Sequence, residues 1–328
     1  MKVCIFGAGA IGGHLAGRLA EGGAEVSVVA RGPHLAAIRA NGLRVEAADR
    51  VMQHRIAASA NPAELGVQDA VVVCTKVPAL GSVAAAIAPL LGPETSVTFV
   101  TNGIPWWYFD RHGGPLDGQR LPEVDPGEAI RRAVGVERAL GGVIYSACTV
   151  REPGVIEVSS TTSKLILGEP SGERTPRATA LAGAFKAGRI PCSVSEDIRT
   201  DVWAKLLNNL GNGPICLLTR QNIRDSYANP AIRACAVQIV EEGLAIAAAM
   251  GRPVPSTAEQ RIAISADIPH KPSILQDLEA GRPMEIDALF KAPLKLAQQC
   301  GVAAPQMALL VALATQAAAA AGIYHGEI

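Results

Sequence analysis

The chain begins Met1-Lys2-Val3-Cys4-Ile5-Phe6 and turns at once into Gly7-Ala8-Gly9-Ala10-Ile11-Gly12, a juncture that constrains the fold more than any other feature. A short apolar run that ends in G-x-G-x-x-G and continues as an Ala-rich helical stretch to Glu21 has the form of a strand, turn and helix built around a phosphate. The first glycine permits the tight turn, the second lets backbone approach a pyrophosphate, and the third lets the helix lie close on the strand. The helix start then faces the phosphates with N–H groups that have no partner inside the helix. Some glycine-rich turns serve packing alone, so the surroundings decide the reading.

Those surroundings are a β-α-β series. Glu25 to Val29, Ala70 to Cys74 and Ser96 to Val100 are continuous apolar runs separated by helical stretches, the pattern of parallel strands covered on both faces. The expected fold class is α/β, with an N-terminal Rossmann-type doubly wound parallel sheet. Val143 to Val150, Gly154 to Ser159 and Lys164 to Leu167 alternate apolar with polar residues and are expected to add antiparallel strands to that sheet. Residues 106–132 are rich in Gly, Pro and charge and read as an inserted loop of the kind that forms lids. From Asp197 the pattern is helical, over 201–218, 230–250, 256–266, 273–280, 285–300 and 305–321. The expected organisation is a dinucleotide-binding domain over 1–170, a connecting segment over 171–196, and a second, all-helical C-terminal domain over 197–328 that carries substrate and catalysis.

Composition narrows the partners. The chain has 328 residues, enough for two domains, and 30 Lys and Arg balance 30 Asp and Glu. No summed field is available to hold a polyanion, so neither nucleic acid nor an anionic membrane is expected as a partner. The most apolar stretch, Ala308 to Ala321, is short of the roughly 20 residues of a membrane helix. It reads as a buried Ala-rich helix, which leaves room for a homodimer. Seven cysteines, an odd number with no C-x-x-C pair, read as buried thiols of a reducing compartment. With no signal-peptide pattern at the start, the expected location is cytoplasmic.

The end of the second strand indicates which dinucleotide is bound. An NAD site carries Asp or Glu there to accept from the ribose hydroxyls. This chain has Val28-Val29-Ala30-Arg31-Gly32, with no carboxylate to repel a 2′-phosphate and a guanidinium fork to grip one. NADP is therefore the expected cofactor, with Arg31 as its reader.

Further along, Trp203-Ala204-Lys205-Leu206-Leu207-Asn208-Asn209-Leu210-Gly211-Asn212 places Trp203, Leu206, Leu207 and Leu210 on one side of a helix. Lys205, Asn209 and Asn212 line the other. A wet helix face ordinarily uses Glu, Lys, Arg and Gln, and asparagine is a poor helix former, so this face reads equally as solvated surface or as a hydrogen-bonding site. A second polar cluster spans His270 to Asp277 and Met284 to Asp287. Structural roles account for it: Ser273 after Pro272 has the form of an N-cap, and Glu285 suits the first turn of the next helix.

Taken together these residues resemble the ketopantoate reductase (2-dehydropantoate 2-reductase) family over essentially the whole chain. The resemblance runs through Gly7 to Gly12, Arg31, Thr75-Lys76, Asn102-Gly103, Trp203-Ala204-Lys205-Leu206, Asn209, Pro214, Leu218-Thr219, Ser273 to Asp277 and Glu285-Ile286-Asp287. It implies NADPH-dependent reduction of a 2-keto acid, nominally 2-dehydropantoate, to a 2-hydroxy acid. It also implies Lys205 as catalytic lysine and proton donor, with Glu285 as the glutamate that works with it on the substrate. Asn209 and Ser273 match residues that hold substrate, Asn212 stands in for a further asparagine of that helix, and Lys76 and Asn102 match residues near the nicotinamide and the keto acid. An allocation in which Lys76 holds the substrate carboxylate or shares the proton donor role stays open. The chain departs from the family at Gly213, where an asparagine is usual, at His270, at Phe290-Lys291, and over 104–132, where Trp106-Trp107-Tyr108-Phe109 serve either as an anchor for the insertion or as a wall of the pocket. Alternatives are a D-2-hydroxy acid dehydrogenase on the same scaffold, or an NADP-binding sensor without catalysis.

Overall fold

Strand β1 (Lys2–Phe6) carries no polar side chain between Val3 and Phe6, and all four of those residues are buried, as a central strand of a sheet covered on both faces requires. The computed structural model describes residues 1–326. These divide into two units, one formed by Met1–Thr101 with Pro105–Ile198, the other by Asn102–Ile104 with the chain from Arg199 onward.

In the first unit β1 is followed by α1 (Ala10–Glu21), β2 (Glu25–Val29), α2 (Gly32–Asn41), β3 (Leu43–Ala47), β4 (Arg50–His54) and β5 (Ala57–Ser59). Then come β6 (Ala70–Val73), α3 (Leu80–Ala86), β7 (Ser96–Phe99), α4 (Ala129–Val134) and β8 (Ala139–Tyr145). The unit closes with β9 (Cys148–Glu152), β10 (Val155–Val158), β11 (Lys164–Gly168), α5 (Pro176–Ala187) and β12 (Cys192–Ser195). The main sheet has the order β12-β11-β8-β7-β6-β1-β2-β5. Its neighbours are parallel except β8 with β11. The chain leaves β1 towards β2 on one side and later returns to β6 on the other. The switch point of the doubly wound sheet therefore lies at the carboxyl ends of β1 and β6, where such folds place ligands.

Three details differ from the sequence reading. First, β9 and β10 do not extend the main sheet: they join β3 and β4 in a separate four-stranded sheet of order β4-β3-β10-β9. Helix α1 lies close beneath this sheet, with no space for a Cβ at Gly13 against Ile156 or at Gly17 against Val45. Second, the stretch 171–196 is not a connector, because α5 and β12 complete the edge of the main sheet. Its strand is only four residues long and half polar, which hides it in sequence. Third, residues 106–132 are packed down. Trp106, Trp107, Tyr108 and Phe109 are all buried, and Arg131 of α4 grips Asp110, with Nη1 to Oδ1 at 2.7 Å. The aromatic run is an anchor.

The second unit is helical: α6 (Ile198–Thr219), α7 (Ile223–Tyr227), α8 (Pro230–Ala249), α9 (Ala258–Ala266), α10 (Ser273–Glu279), α11 (Ala292–Gln299) and α12 (Pro305–Ala320). Trp203, Leu206, Leu207 and Leu210 of α6 are buried as its periodicity requires, and glycines let neighbouring helices close on it. A Cβ at Gly243 of α8 would press on Leu207 at 2.6 Å, and one at Gly211 would lie 2.9 Å from Val240. A π-helical turn, Asp287–Lys291, precedes α11; such turns recur at functional sites.

Candidate active site

The glycine fingerprint forms the turn that its spacing dictates. Gly7 has φ +100°, a conformation that disfavours side chains, and its missing Cβ would stand 2.7 Å from Thr75 Cγ2 at the end of β6. At Gly12 a Cβ would collide with the Gly7 carbonyl oxygen, so that glycine allows helix and turn to close on each other. Gly9, the N-cap of α1, differs from both. Its φ is an ordinary −62°, and nothing lies within 4 Å of where its Cβ would be. The middle glycine thus faces open space, where its small size matters only to something that arrives from outside.

That space is a cavity of about 370 Å³, lined among others by Gly7, Ala8, Gly9, Arg31, His34 and Thr75. Arg31 ends the extended stretch after β2 as the N-cap of α2 and is exposed at this cavity. Among the described residues no Asp or Glu lines it. Thr75 also contributes a buried hydroxyl without a hydrogen-bond partner among the described residues. A helix start with Gly7, Ala8, Gly9, Ala10, Ile11 and Gly12, an open cradle, an unsatisfied hydroxyl and a guanidinium without acidic company fit an NADP molecule. Lys76 follows Thr75 as the N-cap of a 3₁₀ turn, Val77–Ala79.

Lys205, Asn209, Glu285 and Asn102 come together in the second unit. Asn102 Nδ2 donates to Glu285 Oε2 at 3.0 Å, a bond across 183 residues of sequence, and Glu285 is buried. The segment is held by backbone too, with Ile104 N donating to Ala288 O at 3.1 Å. Gly103 lies so close to Ala288 that no side chain would fit. The Glu285 charge acts on Lys205, the most informative titratable group here. Burial pulls the Lys205 ammonium down from its ordinary 10.5 to about 8, and Glu285 opposes that shift. One turn along α6, Asn209 buries an Nδ2 that has no hydrogen-bond partner among the described residues. An unsatisfied buried amide donor beside a charged lysine is a ready contact for a ligand oxygen.

The remaining expected site residues are placed differently. Asn212 is buried, and its Oδ1 accepts from the Tyr227 hydroxyl at 2.6 Å, so its carbonyl is committed to structure. Ser273 is not an N-cap: Pro272 occupies that position, and Ser273 is the first residue of α10. Glu285 stands just before the helical turn that starts at Ile286, and its carbonyl accepts from Leu289 N at 3.0 Å. Gly213 and Phe290 prove to be one feature. A Cβ at 213 would lie 2.9 Å from Phe290 Cζ, so the ring fills the volume that a side chain at 213 would need.

The family model described as ketopantoate reductase PanE/ApbA matches residues 3–172, and that for the C-terminal part of the same family matches 197–318. The chain belongs to the ketopantoate reductase family. A 2-dehydropantoate 2-reductase of Mesorhizobium japonicum is 44% identical over 326 residues, covering 99% of this chain and 100% of the relative. A provisionally named ketopantoate reductase from Ralstonia solanacearum MolK2 has a crystal structure that superposes with TM-score 0.92 at 40% identity, covering 98% of this chain and 99% of that one. A 2-dehydropantoate 2-reductase from Geobacter metallireducens superposes with TM-score 0.85 at 28% identity, covering 97% and 100%. As a member of this family the chain is an NADP-dependent oxidoreductase.

Among residues near the cofactor cavity, His34 escaped the sequence reading. Its only signal was a histidine in the first turn of the helix that Arg31 caps.

Proposed function

We propose that the chain reduces 2-dehydropantoate to pantoate with NADPH, Lys205 giving the proton and Glu285 with Asn102 and Asn209 holding the substrate. The observation that carries this reading is the grouping of half-buried Lys205 with the buried Glu285, itself bonded to Asn102, beside the unsatisfied Asn209 amide. The hydride comes from NADPH when that cofactor is bound. As charge builds on the former carbonyl oxygen, a buried ammonium stabilises it and then donates its proton, since an alkoxide is far more basic than a lysine amine. With a value near 8, Lys205 is still charged at neutral pH and is a better acid than an ordinary lysine. The Asn209 Nδ2 donor is suited to a hydroxyl or carboxylate oxygen of the substrate, and Glu285 to its hydroxyl. Ser273 and Lys76 are assigned to substrate and cofactor on family resemblance.

Seven free cysteines support a reducing, cytoplasmic setting. Among the described residues no helix is long and apolar enough to cross a membrane. Exposed Leu309 and Leu313, one turn apart on α12, support a homodimer. The function is tested by following NADPH oxidation across a panel of 2-keto acids. The expected result is the highest kcat/KM for 2-dehydropantoate. A higher value for another keto acid rejects the substrate, and no oxidation with any of them rejects the reaction.

A further inference from the structure

The imidazole of His34 joins two backbone groups that belong to different sheets. Its Nε2 lies 2.7 Å from the carbonyl oxygen of Ala8, in the glycine-rich turn after β1, and its Nδ1 lies 2.9 Å from the amide nitrogen of Gly154, in the turn between β9 and β10. A backbone N–H can only donate, so Nδ1 must be the acceptor. The ring proton of the neutral imidazole then sits on Nε2 and is donated to Ala8. Both contacts are of full hydrogen-bond length. The Gly154 end is firmly seated: its φ is +82°, its carbonyl accepts from Arg44 N at 2.9 Å, and a Cβ there would touch Ala37 of α2.

What His34 fixes is the Ala8–Gly9 peptide plane. In a trans peptide the carbonyl and the next N–H point in opposite directions, so a clamp on the Ala8 oxygen sets the direction of the Gly9 N–H. Gly9 is the glycine that faces open space in the cavity, and His34 lines the same cavity. We infer that His34, as the Nε2–H tautomer, is a positioning residue that aims the Gly9 amide at the cofactor pyrophosphate and ties that turn to the second sheet. This rests on the cofactor reading above and adds to it a residue that need not touch the nucleotide.

The two contacts can be separated by substitution. In H34Q the amide nitrogen reaches the place of Nε2 and keeps the donor to Ala8. In H34N the amide oxygen takes the place of Nδ1 and keeps only the acceptor for Gly154. H34L keeps neither. Dissociation constants for NADPH and NADH are measured by titration with each purified variant. H34N and H34L are expected to bind both nucleotides about tenfold more weakly, with H34Q recovering most of the loss. NADPH and NADH should fall by the same factor because both carry the pyrophosphate, whereas Arg31→Ala should weaken NADPH alone. Nitrogen-15 NMR of His34 in the cofactor-free wild type should show a protonated Nε2 and a bare Nδ1. Equal losses in H34Q and H34N, or the opposite tautomer, overturn the role of His34 while leaving the cofactor site intact. Wild-type protein that binds neither nucleotide overturns the cofactor reading and this inference together.

Discussion

At Lys205 two opposing effects set the chemistry: burial disfavours the ammonium, and the Glu285 carboxylate favours it, leaving a value of about 8 against the ordinary 10.5. The acid form is the one that reduction consumes. Turnover should therefore be level below pH 8 and fall as pH rises through about 8, tenfold per pH unit once Lys205 is neutral. Glu285→Gln removes the charge that raises this value, so the alkaline limb should move to lower pH. A pH–rate profile in saturating substrate checks this, and a limb that stays in place would mean that another group titrates. This scale also shows what sequence reveals and what it conceals. The shared face of Lys205 and Asn209 is legible from helical spacing, because a helix converts spacing into a face, while their roles rest on the family resemblance. The Asn102 bond to Glu285 spans 183 residues, and no local pattern encodes it. Asn212 shared the right face, yet Tyr227 had already claimed its carbonyl.

At the scale of the element, the turn between β1 and α1 separates glycines needed by the fold from one needed by the ligand. Gly12→Ala drives a Cβ into the Gly7 carbonyl and should destabilise the protein by about 1–3 kcal/mol. Gly9→Ala meets nothing within 4 Å at a φ of −62° and should leave the thermal midpoint unchanged, yet weaken NADPH binding. Thermal unfolding and nucleotide titration of the two variants check this contrast; a Gly9→Ala protein that unfolds early would make that glycine structural as well. The clearest elements of both units were readable because their signals are strong: buried apolar strands such as β1, β2, β6 and β7, four to five residues long, and helices of three turns or more such as α1, α6, α8 and α12. The second sheet was not. Its strands β3 and β4 are short, mixed in polarity and separated by only two residues, Ala48 and Asp49, and β10 pairs in parallel with β3 from more than a hundred residues away.

For the molecule as a whole, acid stability turns on a network in the first unit that catalysis does not use. His14 is fully buried on α1; its Nε2 faces Arg18 Nε at 3.4 Å, and Arg18 is paired with Asp49 through contacts of 2.7 and 3.1 Å. Because Arg18 can only donate, the proton of the imidazole sits on Nδ1, towards Ser146 and Cys148. Burial, with Arg18, pushes the His14 value from its ordinary 6.5 down to about 4. Between those values the unfolded chain binds a proton that the folded one refuses. Stability should accordingly fall as pH drops from about 6.5 to about 4, by about 3 kcal/mol from this residue. Denaturant unfolding across that range should show the loss, and His14→Gln should lessen it; an equal slope in the variant would assign the effect to other groups. Fold class was legible at this scale because a β-α-β series and a helical tail differ in periodicity.

The central claim is that Lys205 supplies the proton for reduction by NADPH. The most direct measurement is NADPH titration of the Lys205→Ala variant, followed by its turnover of 2-dehydropantoate. The expected result is an unchanged dissociation constant for NADPH with turnover reduced about 10²- to 10⁴-fold. Turnover close to that of the parent protein would contradict it.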